Sequence, residues 1–196
     1  LLSIKECAKL TFMKKTLVLY TSSCGSTQKY ATDIAHAVDG DVFPLKKFKW
    51  KNIDDYQIVV YGGWVNNGLI QGIDDFLYDY EGRLKNKDVL VFSCGMSFST
   101  DEGRKELIDR NYLSPYHIRY YQVRGDFDFK KLKWAQRLML KASIKMLMNN
   151  PNATPEQKMV GNVLDTPIEY YDREKIERMI TVIRKIESEP IEAKVE

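Results

Sequence analysis

Short apolar runs alternate with longer amphipathic stretches along most of this chain. Thr16–Tyr20, Gln57–Tyr61 and Val89–Phe92 are almost uniformly apolar and rich in β-branched or aromatic residues. That is the pattern of strands covered on both faces. Asp41–Leu45 is a brief strand candidate, and His117–Val123 has alternating character. Between the strands the period changes. Over Ser26–Val38, Tyr30, Ile34, Ala35, Ala37 and Val38 recur at helical spacing, and Gly40 follows as a stop. Gly72–Tyr80 suits a short helix and Asp101–Asp109 another. Phe129–Asn149 is a long helical pattern, stopped by Asn149-Asn150-Pro151. Arg173–Ser188 closes as an amphipathic helix with Ile176, Ile180, Ile183 and Ile186 on one side. Repeated strand–helix alternation predicts right-handed βαβ units: a three-layer α/β fold, a five-stranded parallel sheet with helices on both faces, and a long helical insertion after the last strand.

Composition narrows the setting. The 196 residues are 44% apolar and 29% charged, which suits one globular domain over residues 13–196. Met13-Lys14-Lys15 leads directly into the first strand, so residues 1–12 read as an upstream extension or an artefact outside the fold. The net charge of +3 is too mild to mark a nucleic-acid binder. Cys7, Cys24 and Cys94, with His36 and His117, show no metal-ligand spacing. A low, odd cysteine count fits a reducing cytoplasm. No apolar run approaches the ~18 residues of a membrane span. Lys5, Glu6 and Lys9 break any signal-peptide core.

Chemistry concentrates in three loops expected at the carboxyl ends of the strands, where open parallel sheets bind ligands. The first is Thr21-Ser22-Ser23-Cys24-Gly25-Ser26-Thr27, in which five of seven side chains carry hydroxyls and none is charged. It leads into a helix, whose free N–H groups and dipole suit a phosphate. The loop lacks both the Gly-Lys-Ser/Thr of a Walker A loop and GxGxxG, so a monophosphate held by neutral donors is the expectation. The plainer alternative is a strand-to-helix turn with Ser26 as an N-cap.

The stretch Val18-Leu19-Tyr20-Thr21-Ser22-Ser23-Cys24-Gly25-Ser26-Thr27, continuing to Ala31 and Ile34, resembles the flavodoxin signature. The resemblance implies a flavodoxin-like fold and FMN as cofactor, with Thr21 through Thr27 around its phosphate. It gives the other two loops a role at the flavin ring. In Gly62-Gly63-Trp64-Val65-Asn66-Asn67-Gly68, Trp64 would stack on the ring and Asn66 or Asn67 would hydrogen-bond it. The alternatives are a packed Trp64 and an ordinary Asn67-Gly68 turn. Ser93-Cys94-Gly95-Met96-Ser97-Phe98 would approach the pyrimidine edge with backbone N–H groups. Cys94 and Cys24 read as small packed residues, since no cationic neighbour in sequence activates either thiol.

Beyond Met13 the chain also resembles the menaquinone-dependent protoporphyrinogen dehydrogenases of flavodoxin type, enzymes of haem biosynthesis. Gly62, Gly63 and Asn67-Gly68 match part of that family's pattern, with Asn67 replacing its aromatic residue. So does the order Gly125, Phe127, Phe129, Lys130, Lys131, Trp134, Arg137, Met139, Lys145, Met146. The chain departs from it at Asp126 and Asp128, and at Asn149 to Thr154. The resemblance implies oxidation of protoporphyrinogen IX, with electrons passed to a quinone. Phe127, Phe129, Lys130, Lys133, Trp134 and Arg137 would then contact substrate or membrane.

In the long helix Lys130, Lys133, Arg137, Lys141 and Lys145 are three or four residues apart and share a face. Trp134, Ala135, Leu138, Met139, Ala142 and Met146 make an apolar stripe beside it. The expectation is a core helix with a solvated lysine face. The alternative is a basic amphipathic helix resting on an anionic membrane, which would place the protein peripherally on the inner face. No general acid or base is assignable, because flavin chemistry needs little help of that kind. Two other activities fit the same fold: an electron carrier docking on a redox protein, and an NAD(P)H-quinone reductase. Flavodoxins that act as carriers are shorter and acidic near the flavin, whereas this chain has a pI of 8.6.

Overall fold

The computed structural model describes residues 14–96, 100–126, 128–132, 134–151, 164, 167 and 169–189. Strands β1 (Thr16–Thr21), β2 (Asp41–Pro44), β3 (Ile58–Asn66), β5 (Asp88–Gly95) and β6 (Ile118–Arg124) form the expected parallel sheet, in the order β2-β1-β3-β5-β6. A two-residue β4 (Leu69–Ile70) turns back antiparallel on the end of β3, an element the sequence did not announce. The helices are α1 (Ser26–Ala37), α2 (Ile73–Leu77), α3 (Tyr80–Arg83), α4 (Asp101–Arg110), α5 (Trp134–Met148) and α6 (Arg173–Ser188). The extension expected over residues 1–12 lies outside the described residues.

Alternate residues of each central strand face opposite layers, as a pleated strand requires. Val18, Ile58, Val60, Leu90 and Phe92 pack against Tyr30 and Ile34 of α1 and Ile176, Met179, Ile183 and Ile186 of α6. Leu17, Leu19, Val59, Tyr61, Val89 and Val91 pack against Phe76, Leu84 and Leu107 on the other side. The isoleucine stripe read in the last helix is therefore core, with Met179 completing it.

Several boundaries differ from the sequence expectation. The third strand does not end at Gly62-Gly63 but runs through them to Asn66. Gly62 continues the ladder because the Phe92 ring occupies the space its side chain would need. The strand at Val89–Phe92 extends to Gly95, so Ser93 and Cys94 are buried strand residues. The helix expected over Gly72–Tyr80 splits into α2 and α3 around Asp79, whose φ of 55° breaks it. The long helix begins only at Trp134, after a separate 3₁₀ turn at Phe129–Lys131.

Two polar clamps hold the strand ends. The Tyr30 hydroxyl donates to the Arg124 carbonyl and accepts from the Asp172 N–H at 2.6 Å, so α1, β6 and α6 meet on one oxygen. Tyr171 stacks on the same ring, with centroids 4.7 Å apart. At the other side, buried Asn111 follows α4 and holds the β3–β4 hairpin. Its Nδ2 donates to the Gly68 carbonyl at 3.0 Å and the Leu107 carbonyl at 2.7 Å, and its Oδ1 accepts from the Ile70 N–H at 2.7 Å. Asn111→Ala strands the buried Ile70 N–H, so we expect a loss of about 2–3 kcal/mol in unfolding free energy by urea titration. An unchanged midpoint would show that the hairpin is not held there.

Candidate functional site

The segments singled out in the sequence meet around one cavity of about 580 Å³ at the carboxyl edge of the sheet. Ser23, Cys24, Ser26 and Thr27 line it from the β1–α1 turn. Trp64 to Gly68 line it from the end of β3, and Cys94, Gly95 and Met96 from the end of β5. A volume of this size falls in the range of small-molecule and cofactor sites, ~300–1,000 Å³.

The rest of the expected set lies elsewhere. Gly62, Gly63 and Ser93 sit inside the sheet, below the cavity. Thr21 ends β1 with its hydroxyl engaged. The Tyr61 hydroxyl lies 2.5 Å from the Gln71 carbonyl and 3.0 Å from Thr21 Oγ1. Tyr61 has one proton and a carbonyl only accepts, so Tyr61 donates to Gln71 and Thr21 donates to Tyr61. Thr21 is thus a brace for β3. Ser26 is not the N-cap, because its hydroxyl donates to the Asp126 carbonyl at 2.9 Å. Gly25 is the cap, at φ 99°, with no side-chain hydrogen bond to the helix. Ser22 Oγ accepts from the Gly25 N–H at 3.1 Å and shapes the turn. Gly25 and Ser22 do not line this cavity. Gly25 opens onto a second hollow of about 590 Å³ on the outer side of the loop, beside Lys29 and Tyr171. Phe127 and Lys133, and Ser97 and Phe98 of the third loop, lie outside the described residues.

The α1 N-terminus therefore presents first-turn N–H groups that no side chain caps, and nothing lies within 4 Å of where a Gly25 side chain would project. This is the arrangement that accepts a phosphate oxygen. Asn67 and Gly68, both at positive φ (50° and 78°), form the tight hairpin turn to β4 while walling the cavity. Of the seven-residue loop expected here, only this pair is a loop. Trp64 keeps its side chain half-buried at the cavity wall, in register with Cys94.

Around Cys94 the packing is tight. Gly125 is required to be glycine, since a Cβ there would lie 2.5 Å from Cys94 Sγ and 2.9 Å from Ser26 Cβ. Burial pushes the Cys94 thiol up to about 12, against the opposing hydrogen bond from Thr27. Cys94 is inert packing, as its sequence setting implied. His36 and His117 are surface residues away from the cavity. Among the described residues no cluster of His, Cys, Asp or Glu is arranged to hold a metal.

The cavity also has walls the sequence did not disclose. Gly103, Leu107 and Arg110 of α4 line one side, and Arg110 Nη1 donates to the Asn67 carbonyl at 3.2 Å. Gln122 of β6 lines the interior. Gln136, Met139, Leu140 and Ser143 of α5 close the top, with Gln136 Nε2 donating to Ser23 Oγ at 3.3 Å. Leu132 and Ile144 pack with Cys24 and Met96 beneath α5. Only the spacing 136, 139, 140, 143 hinted at this role, and it was masked by the more conspicuous lysine and tryptophan stripes.

Those stripes are not core. Trp134 is 79%, Met146 75% and Leu138 63% exposed, and only Ile144 of α5 is buried. The expected packed helix is overturned, because only Ile144 with half-buried Leu140 packs inward, while the rest of the apolar stripe lies on the outer surface. Arg137, Lys141 and Lys145 share the exposed surface, while Lys130 belongs to the preceding turn. Arg137 folds back to the Leu132 and Lys130 carbonyls and, with Lys141, covers the half-buried Phe129 ring. No helix among the described residues is long and apolar enough to cross a membrane.

A family model described as a flavodoxin domain matches residues 17–154. Among solved structures, the chain is similar to a flavodoxin from the domain Archaea, at 16% identity over 67% of this chain and 97% of that one, with a TM-score of 0.42. It is similar to a flavoprotein in complex with FMN from Lactobacillus acidophilus, at 17% identity over 57% and 92%, with a TM-score of 0.38. An NADH:FMN oxidoreductase in its apo form is 12% identical over 71% and 93%, with a TM-score of 0.43. No curated protein matches the chain.

The raised Cys94 pKa gives a direct test. A thiol whose folded pKa lies above its unfolded value, ~8.5, favours the fold below that pH and loses this contribution as pH rises toward about 12. Native protein at pH 9 should leave Cys94 unalkylated by iodoacetamide, with labelling following denaturation. Native labelling as fast as that of an unfolded peptide would contradict the buried placement.

Proposed function

The chain belongs to the flavodoxin-domain family, and from that premise we propose that it is an FMN-dependent oxidoreductase that takes electrons from protoporphyrinogen IX and passes them to a membrane quinone. The residues fit the cofactor. An uncapped twelve-residue helix offers N–H donors to a phosphate, and the cavity beside it is walled by Trp64, Val65 and the backbone of Gly95 and Met96. Bound FMN supplies the two-electron chemistry, accepting from a reduced substrate and giving to an oxidised one.

The chain's own residues divide the remaining work. The Gly25–Thr27 turn holds the phosphate, Cys24 and Thr27 form the inner wall, and Arg110 and Asn111 fix the hairpin that carries Asn67. Helix α5 covers the cavity and keeps water from it.

The observation that carries the reading is the charge on that cover. Residues 129–150 contain six basic and no acidic side chains, so the remainder of a +3 chain is net −3. A cationic cover bearing exposed Trp134, Leu138 and Met146 suits both the propionates of a porphyrinogen and an anionic lipid surface where a quinone resides.

Three experiments test this. Under anaerobic conditions, protoporphyrinogen should bleach the bound flavin and a menaquinone analogue should restore it. A flavin that ignores protoporphyrinogen but bleaches with NADPH would make the protein a reductase with another donor. Gly25→Val forces a β-branched residue to φ 99° at about 1–3 kcal/mol, so FMN affinity should fall tenfold or more in a fluorescence titration. Lys141→Glu/Lys145→Glu should weaken binding to phosphatidylserine-containing vesicles by about tenfold or more, at ~1 kcal/mol per basic residue near the surface, with the flavin spectrum unchanged. Undiminished vesicle binding would remove the membrane from the proposal.

A further inference from the structure

Among the described residues, the cavity has one cationic wall residue, Arg110. The basic side chains of α5 are placed differently. Lys141 and Lys145 lie on its exposed surface, and Arg137 turns back to the Leu132 and Lys130 carbonyls. Arg110's own contacts leave most of its fork open. Nε pairs with Glu106 Oε1 at 3.1 Å, and Nη1 donates to the Asn67 carbonyl at 3.2 Å. A guanidinium carries five N–H donors and two are used here, so three stay uncommitted, including both on Nη2. The Glu106 pair is solvated, with the arginine side chain 53% and the glutamate 64% exposed, so giving it up costs little.

The fold makes room for this arginine without needing its charge. Gly68 has no Cβ, and one there would lie 2.8 Å from Nη1 and 3.1 Å from Cδ. Asn111 already ties the hairpin to α4 through the Gly68 carbonyl and the Ile70 N–H. A cation set over a turn that a neutral side chain already anchors is available to a ligand. Its position also separates it from the phosphate turn. Ser26 bonds the Asp126 carbonyl and lies against Gly125, and Thr27 bonds Cys94, so that turn meets the β5 and β6 side of the cavity. Arg110 stands on the hairpin and α4 side. The anion that suits it is therefore carried by a second molecule.

We propose that Arg110 binds a carboxylate of the reduced substrate through its Nη groups, in competition with Glu106. The inference rests on the oxidoreductase reading above and narrows its substrate class to a reduced molecule bearing a carboxylate, as a porphyrinogen does on its propionates. Arg110 is then a binding and specificity residue, and Glu106 holds its fork until the substrate's carboxylate arrives.

The test uses the full chain saturated with FMN and reads a ratio within each protein, so a general loss of binding cancels. Protoporphyrin IX and its dimethyl ester are titrated by porphyrin fluorescence, and 2-naphthoate and 2-naphthamide by calorimetry. One charge-assisted pair predicts that wild type prefers the acid of each couple by about tenfold. Arg110→Gln should bring both preferences to within about twofold, and Glu106→Gln, which removes the competitor, should raise them above wild type. A merely structural arginine would not give the two variants opposite signs. Arg110→Met serves the same comparison if the glutamine variant does not fold. An acid preference that survives in Arg110→Gln, or is missing from wild type, overturns the assignment of Arg110 and leaves the flavin reading in place. An Arg110-dependent preference for naphthoate, with neither porphyrin bound, supports the arginine site and overturns protoporphyrinogen as the donor.

Discussion

Parallel strands bring all their carboxyl ends to one edge, and here the register places Thr21, Gly63, Ser93 and Gln122 in a single row across β1, β3, β5 and β6. Everything at the site depends on that alignment. It lets Ser23-Cys24 of the first turn, a hairpin at Asn67-Gly68 and Gly95-Met96 surround one cavity, although they lie far apart in sequence. The row needs glycine at Gly63, where a Cβ would lie 2.4 Å from Ile70 Cγ2. Side chains in the row that resemble ligand donors, such as the Thr21 and Ser93 hydroxyls, are used to hold it together.

This division explains what the sequence could disclose. Strands were legible because apolar runs of β-branched residues leave few alternatives to burial in a parallel sheet. The first turn was legible because hydroxyls and a glycine before a helix form a local pattern. The cavity's other walls were not. Leu107, Arg110, Gln122 and Ser143 reach it through tertiary packing, and nothing adjacent in sequence marks them. Ser26 shows the limit within a motif: its hydroxyl serves the Asp126 carbonyl, a partner a hundred residues away.

Helix α5 inverts the usual amphipathic logic. Its exposed side carries tryptophan, leucine and methionine with arginine and lysine, and its inward side carries only Ile144 and Leu140 as apolar contacts, beside Gln136 and Ser143 at the cavity. Hydrophobic periodicity assumes that apolar residues point to the protein's own core. A helix that closes a cavity and leaves most of its apolar side chains on the outer surface breaks that assumption in a readable way.

The Tyr30 hydroxyl joins α1 to the Arg124 carbonyl and the Asp172 N–H, contacts spanning 94 and 142 residues. On a ribosome, β1, α1 and β3 therefore emerge long before the groups that lock them. Until α6 is released, the sheet face bearing Val18, Val60, Leu90 and Phe92 is covered by α1 alone. Contacts of such separation slow folding and prolong exposure of apolar surface. A truncation or a stalled chain that ends before residue 172 would thus carry an intact β1–α1 turn on an open sheet, a species suited to capture by chaperones rather than by cofactor.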